Sequence, residues 1–187
     1  MITDEHITTT ADRYLNTYPN DKPALEPLLA ALNANDGPLA TRKRLAGHVT
    51  ASGYVLDAAG HVLLIRHRGL GRLLQPGGHT EPADESLVEA AQREVTEETG
   101  LTEITPIKGD PIHIGIHRIP YSRTKDEPEH WHFDYQYAFG LTDATPTVHL
   151  QEEEVSGFIW LPVEKLPEAT PRERLQHLTI SSCRVSG

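Results

Sequence analysis

The stretch Arg93-Glu94-Val95-Thr96-Glu97-Glu98-Thr99-Gly100 constrains this chain more than any other. Glu94, Glu97 and Glu98 stand at i, i+3 and i+4, so a helix puts three carboxylates on one face, close together. Like charges at those spacings cost a helix a few tenths of a kcal/mol per pair. They also fall in its last turns, where the macrodipole is negative. A divalent cation reverses the sign of both terms. Carboxylate oxygens suit Mg²⁺ or Mn²⁺, which keep several waters and bind substrate phosphates. A solvated acidic face is the plainer alternative.

The surrounding residues support the helix and give it a context. Ser86-Leu87-Val88-Glu89 is a capping-box pattern and Gly100 suits the left-handed residue after a helix end, which predicts a helix over 87–99. Leu87, Ala91 and Val95 make its opposite face apolar, facing a core, and Arg93 can pair with Glu89 and Glu97 at i±4. Before it, Gln75-Pro76-Gly77-Gly78-His79 leaves the short apolar stretch Leu73-Leu74-Gln75. Glycine permits backbone approach that a Cβ would block, so a carbonyl near Gly77 could complete a metal site.

The rest of the chain divides by its periodicity. Residues 1–45 read as a helical segment: Tyr14, Leu15 and Tyr18 share a face, Pro19-Asn20-Asp21 interrupts, and Leu25, Leu28, Leu29 and Leu32 follow helical spacing up to Asn35-Asp36-Gly37-Pro38. Two short helices are marginal alone, so the segment is expected to dock on the main domain. Residues 49–56 and 61–67 read as strands around the turn Asp57-Ala58-Ala59-Gly60, with further strands near 112–117, 131–141 and 157–161 and a short helix near 172–178. Strands mixed with helices imply an α/β or α+β sandwich.

Composition narrows the function classes. A net charge of −10 disfavours duplex nucleic acid as a partner but not a small phosphate held through a cation. The apolar runs are too short for a membrane span, and the first residues have no basic or apolar leader character. The single cysteine, Cys183, excludes an internal disulfide and a cysteine-rich metal site. A cytoplasmic protein is expected.

Gly78 through Leu101, GHTEPADESLVEAAQREVTEETGL, resembles the Nudix box, G-x5-E-x7-R-E-U-x-E-E-x-G-U with U aliphatic. From Glu85 onward every fixed position matches. Six residues rather than five separate Gly78 from Glu85, so counting back puts His79 at the box glycine and an extra residue in the loop 80–84. The resemblance extends over about residues 46 to 170, leaving 171–187 as a C-terminal helix and tail. GHVTAS at 47–52 and LQPGGH at 74–79 look like a subgroup with a short helical N-terminal segment.

The resemblance implies an α/β/α sandwich with a mixed β-sheet, and a Mg²⁺-dependent diphosphohydrolase, with Mn²⁺ as the other cation. Glu94, Glu97 and Glu98, with the Gly77 carbonyl, would bind the metal. Arg93 and Glu85 would form an orienting ion pair, and the metal would polarise phosphorus and activate a water. A further loop carboxylate often serves as base in this family, and Gln151-Glu152-Glu153-Glu154 is its source here. If that segment is extended, Glu152 and Glu154 share one side, which selects Glu153. The catalytic candidates are thus Arg93, Glu94, Glu98 and Glu153. The implied partner is a small nucleoside diphosphate derivative, with no duplex nucleic acid and no membrane, and with a homodimer left open.

Other residues are candidate substrate contacts. Arg66, Arg68 and Arg72 form, with His67, the one basic concentration and could hold phosphate; a surface patch is the plain alternative. In residues 130–137, Trp131, Phe133, Tyr135 and Tyr137 share one face, read as core. The other face carries His132, Asp134 and Gln136, which need partners or a wet cavity and make His132 a further candidate. His117, His130 and His132 could take a transition metal, although surface or hydrogen-bonding histidines are the simpler reading. Two other functions stay open: a non-catalytic nucleotide-sensing module, and an isoprenoid diphosphate isomerase, which would need a core cysteine.

Overall fold

The strict alternation of residues 130–139 becomes strand β7, His130–Leu141, in a computed structural model that describes residues 1–34, 36–123, 126–142 and 147–183, the last five without their side chains. β7 runs parallel to β1, Gly47–Leu56, in a register from Gly47↔Trp131 to Leu56↔Gly140. β1 is buried along its whole length. On its other side β4, Gly77–His79, pairs antiparallel through Thr50↔His79 and Ser52↔Gly77. β5, Ile104–Pro106, and β6, His113–Ile119, pair antiparallel with β7. β2, His61–His67, joins β1 at Leu56↔Val62 and pairs with β3, Arg72–Leu74, and β8, Val155–Pro162.

Alternation along β1 and β7 sorts their side chains onto two faces. Val49, Ala51 and Val55, with Phe133, Tyr135, Tyr137 and Phe139, pack against Leu87, Ala90, Ala91 and Val95 of α3, Leu87–Thr99. The aromatic face of β7 is therefore core. Ile7, Ala11 and Tyr14 of α1, Asp4–Thr17, and Leu28 of α2, Glu26–Ala34, belong to the same cluster. On the second face Tyr54, Leu56 and Ala138 pack with Val62, Leu64 and the apolar side of α4, Ala169–Cys183. A mixed sheet between helical layers is the α/β/α sandwich the resemblance implies.

α1 begins ten residues before the Tyr14–Leu15 pair that carries its sequence pattern, because Thr3 caps it by accepting the His6 N–H at 3.1 Å and Asp4 and Glu5 favour its positive end. The Pro19 break is a 3₁₀ segment, Pro19–Leu25, whose Leu25 is fully buried. The Arg174 guanidinium of α4 donates to Asp21 at 2.7 Å, to the Tyr14 hydroxyl at 2.7 Å and to the Ile112 carbonyl at 2.6 Å, and lies 3.7 Å over the Tyr18 ring. Among the described residues no helix is long and apolar enough to cross a membrane.

Candidate active site

The caps fix the register of α3. Ser86 Oγ accepts the Glu89 N–H at 3.3 Å, the Glu89 carboxylate accepts the N–H of Glu85, and Gly100 closes the helix at φ 72° with its N–H on the Thr96 carbonyl. That register turns Glu94 and Glu98 onto β4. Glu98 is 3% exposed and accepts the Gly77 N–H at 2.9 Å. Glu94 lies so close to Gly78 that a Cβ there would sit 2.6 Å from its Oε2. A Cβ on Gly77 would run into Ser52 at 2.3 Å. Close approach to β1 thus requires Gly77, whereas a Cβ at Gly78 would have to displace the Glu94 carboxylate. Glu97 sits at the rim, half exposed.

Burial pushes the Glu94 carboxyl up to about 7; Arg93 opposes this, while the charges of Glu97 and Glu154 add to it. Glu98 is pushed up to about 7 by burial, opposed by the Gly77 N–H and reinforced by Glu94, Glu154 and Glu97. A buried acid, Glu98, a partly buried one, Glu94, and a third at the rim are a donor set that fits a hard divalent cation. The contact drawn with Gly77 itself is through its N–H; its carbonyl remains the candidate ligand expected from the sequence.

Arg93 has a different partner from the one expected. Its Nε and Nη2 grip the two Asp84 oxygens at 3.0 and 3.1 Å. Nη2 also donates to the His79 carbonyl at 2.9 Å, and Nη1 to Glu94 and Glu97 at 3.0 and 2.9 Å. Glu85 is exposed. The reason lies in the turn Glu81–Asp84, closed by the Asp84 N–H on the Glu81 carbonyl and by the Glu81 N–H on the Asp84 carboxylate. Counted from Gly78, Asp84 follows five residues, so the acid keeps its place after the glycine as aspartate. The extra residue lies on the helix side of that acid.

The acidic loop also differs. Residues 151–155 form a turn, with the N–H groups of Glu154 and Val155 on the Gln151 carbonyl at 3.1 and 3.0 Å, so the extended alternation that favoured Glu153 does not exist. Glu154 is the loop acid whose charge acts on Glu94 and Glu98. The loop is fastened to the end of α3: the His149 N–H donates to the Thr99 carbonyl at 2.8 Å and the Gln151 N–H to the Glu98 carbonyl at 3.3 Å.

The basic candidates are not gathered into one site. Arg68 reaches that loop, its Nε donating to the Glu152 carbonyl at 2.8 Å, and lines an open cleft of about 500 Å³ with His149, Glu152 and Phe158. Arg66 on β2 and Arg72 on β3 are exposed to solvent. His132 belongs to a separate polar chamber on the second face of β1 and β7. There Asp134 accepts from Thr50, Ser52, Gln75 and Gln136 at 3.1, 2.8, 3.3 and 3.0 Å. Oε1 of Gln136, a residue only 4% exposed, has no hydrogen-bond partner. At one end His48, His79, His130 and His132 converge. Burial, then the neighbouring histidines, push His132 down to about 3; burial likewise lowers His48. Sequence reasoning missed His48 and His79, because the parallel register His48↔His132 and the antiparallel pairing Thr50↔His79 bring them to the cluster. The isomerase reading falls on Cys183, whose side chain lies outside the described residues.

The family model of the NUDIX domain matches residues 46–179. A protein of Lactococcus lactis subsp. cremoris named probable DHNTP pyrophosphohydrolase is 33% identical over 109 residues, 57% of this chain and 60% of that protein. Phosphatase NudJ of Escherichia coli K12 is 49% identical over 57 residues, 29% of this chain and 36% of that one. Both matches thus span less than two thirds of the relative. Among solved structures, the Escherichia coli dihydroneopterin triphosphate pyrophosphohydrolase superposes with a TM-score of 0.54 at 16% identity, covering 71% of this chain and 95% of the other. A MutT protein from Methanosarcina mazei Go1 superposes at 0.50 with 24% identity, covering 72% and 94%. These likenesses establish the fold.

Proposed function

Because the chain belongs to the Nudix family, we propose that it is a divalent-metal-dependent hydrolase that cleaves the diphosphate linkage of a nucleoside diphosphate derivative by attack of water on phosphorus. The observation that carries this reading is the buried Glu94–Glu98 face set against the Gly77–His79 strand. A hard cation such as Mg²⁺ or Mn²⁺, held by Glu94, Glu97, Glu98 and the Gly77 carbonyl, would supply charge neutralisation to the phosphates and acidify a water.

The chain's own residues do the rest. Arg93 spans Asp84, the His79 carbonyl, Glu94 and Glu97, and so holds the loop, the strand and two of the acids in one frame. It is a positioning residue. Glu154, exposed at the edge of the acidic face, is the group to take the proton from the attacking water. Arg68 stands beside that loop at the cleft, where a guanidinium can pair with a phosphate oxygen.

The test is a panel of nucleoside di- and triphosphates, ADP-ribose, NADH, nucleotide sugars, dinucleoside polyphosphates and dihydroneopterin triphosphate, the last because one relative is named for it. Each is incubated with Mg²⁺, with Mn²⁺ and after chelation, and the products are identified. Turnover of at least one substrate that requires metal and splits the diphosphate is expected. Saturable binding of several members with turnover of none would make the chain a sensing module instead.

A further inference from the structure

Four imidazoles meet at one end of the polar chamber. The Nε2 atoms of His48 and His79 are 3.1 Å apart, and those of His130 and His132 are 3.0 Å apart. The His48 and His130 rings stack at 4.9 Å, and those of His48 and His132 are 4.7 Å apart. One ligand nitrogen each from His48, His130 and His132 can be chosen so that all lie within 4.8 Å of one another. His48 and His130 are almost wholly buried.

Two of these rings are oriented from behind. His130 Nδ1 lies 2.8 Å from the Pro128 carbonyl and His48 Nδ1 lies 3.4 Å from the Arg44 carbonyl. A carbonyl oxygen only accepts, so in each neutral ring Nδ1 carries the proton and Nε2 presents its lone pair. Both lone pairs therefore point into the cluster. An imidazole that gives one N–H to a backbone carbonyl and turns its other nitrogen inward is the usual outer support of a metal ligand. In a tetrahedral site with Zn–N bonds of about 2.0–2.1 Å, ligand nitrogens stand about 3.3 Å apart, close to the two separations found here.

We infer that His48, His130 and His132, with His79 closing the fourth side, form a second metal site that takes a borderline transition ion, Zn²⁺ above all. It is chemically distinct from the carboxylate face. Imidazoles without carboxylates suit Zn²⁺ or Co²⁺, whereas Mg²⁺ requires oxygen ligands. His79 links the two sites: its carbonyl accepts from Arg93 while its ring stands against His48. The histidine site does not depend on the hydrolase reading, and its test does not use turnover.

The experiment titrates the full chain, stripped of metal and free of any polyhistidine tag, with Co²⁺. One equivalent with a visible ligand-field band is expected, displaced by Zn²⁺ and unaffected by Mg²⁺. The band should persist in Glu94→Gln and Glu98→Gln. His48→Asn, His130→Asn and His132→Asn should each weaken binding about tenfold or more, and the rise in Tm that Zn²⁺ gives the native chain should vanish in them. Should these variants fail to fold, ¹⁵N spectra of the native chain decide: the imidazole nitrogens of the cluster should shift with Zn²⁺ and stay fixed with Mg²⁺. No band, a band lost with the glutamates, or imidazole signals indifferent to Zn²⁺ would overturn the assignment and leave a hydrogen-bonded histidine network.

Discussion

The carboxylate of Glu98 accepts the N–H of Gly77 at 2.9 Å, so the most buried acid of α3 is positioned by a strand as well as by its own helix. The carboxylate face and the glycine strand are one unit, and changes to either should be read together.

Glu94→Gln and Glu98→Gln should each lower kcat by several orders of magnitude with the fold intact. Each removes a charge that burial disfavours and relieves repulsion along the helix. The metal-free Tm should stay equal or rise. A large fall in metal-free Tm with near-normal kcat in the folded fraction would make both residues structural.

Both acids hold their protons up to about 7, above the ordinary 4.5. Between those values these two groups bind more protons in the native chain than in the unfolded one, so their contribution to metal-free stability falls as pH rises through the window. His48, His113 and His132, lowered by burial, contribute in the opposite sense below about 6.5. Melting curves from about pH 5 to 8 should show this decline as the difference between the native chain and the variant with Glu94 and Glu98 both replaced by Gln, countered by Mg²⁺ at the upper end. A difference in metal-free Tm between the two chains that is flat across the window would mean that the two acids are not desolvated.

Asp84→Asn should cost about 1.5–3 kcal/mol, the range for hydrogen bonds to charged groups, and lower kcat as Arg93 loses its frame. Glu85→Gln, at an exposed position, should change Tm and kcat little. Thermal melts and initial rates of the pair decide which acid holds the arginine; a larger loss for Glu85→Gln would restore the position counted from the motif.

Glu154→Gln should lower kcat with little change in metal affinity and move the acidic limb of the pH–rate profile. Glu153→Gln should leave both nearly as they were. If the two variants are alike and active, the proton acceptor lies outside this loop.

Much of this was legible from residue order, for reasons that are local. α3 was bounded by Ser86 and Gly100 because caps act within a turn, and the aromatic face of β7 follows from a period of two. What failed depended on a turn or on distant strands. Glu153 was chosen on an extended backbone that Gln151 in fact folds into a turn. Asp84 was passed over because motif counting cannot say on which side of an acid an extra residue is accommodated. His48 and His132, 84 positions apart, meet only through a parallel register that no single sequence displays.

The grip of Arg174 on Asp21 and Tyr14 has a consequence for how the chain is made. Asp21 leaves the ribosome well before its partner, which lies 153 residues later. Until α4 emerges, the strands that cover Ile7, Tyr14, Leu25 and Leu28 are already made, but the clamp on Tyr14 and Asp21 is missing. α1 and the 3₁₀ segment are thus synthesised well before the residue that fastens them. Arrested chains of increasing length should show residues 1–34 sensitive to protease until position 174 has cleared the exit tunnel.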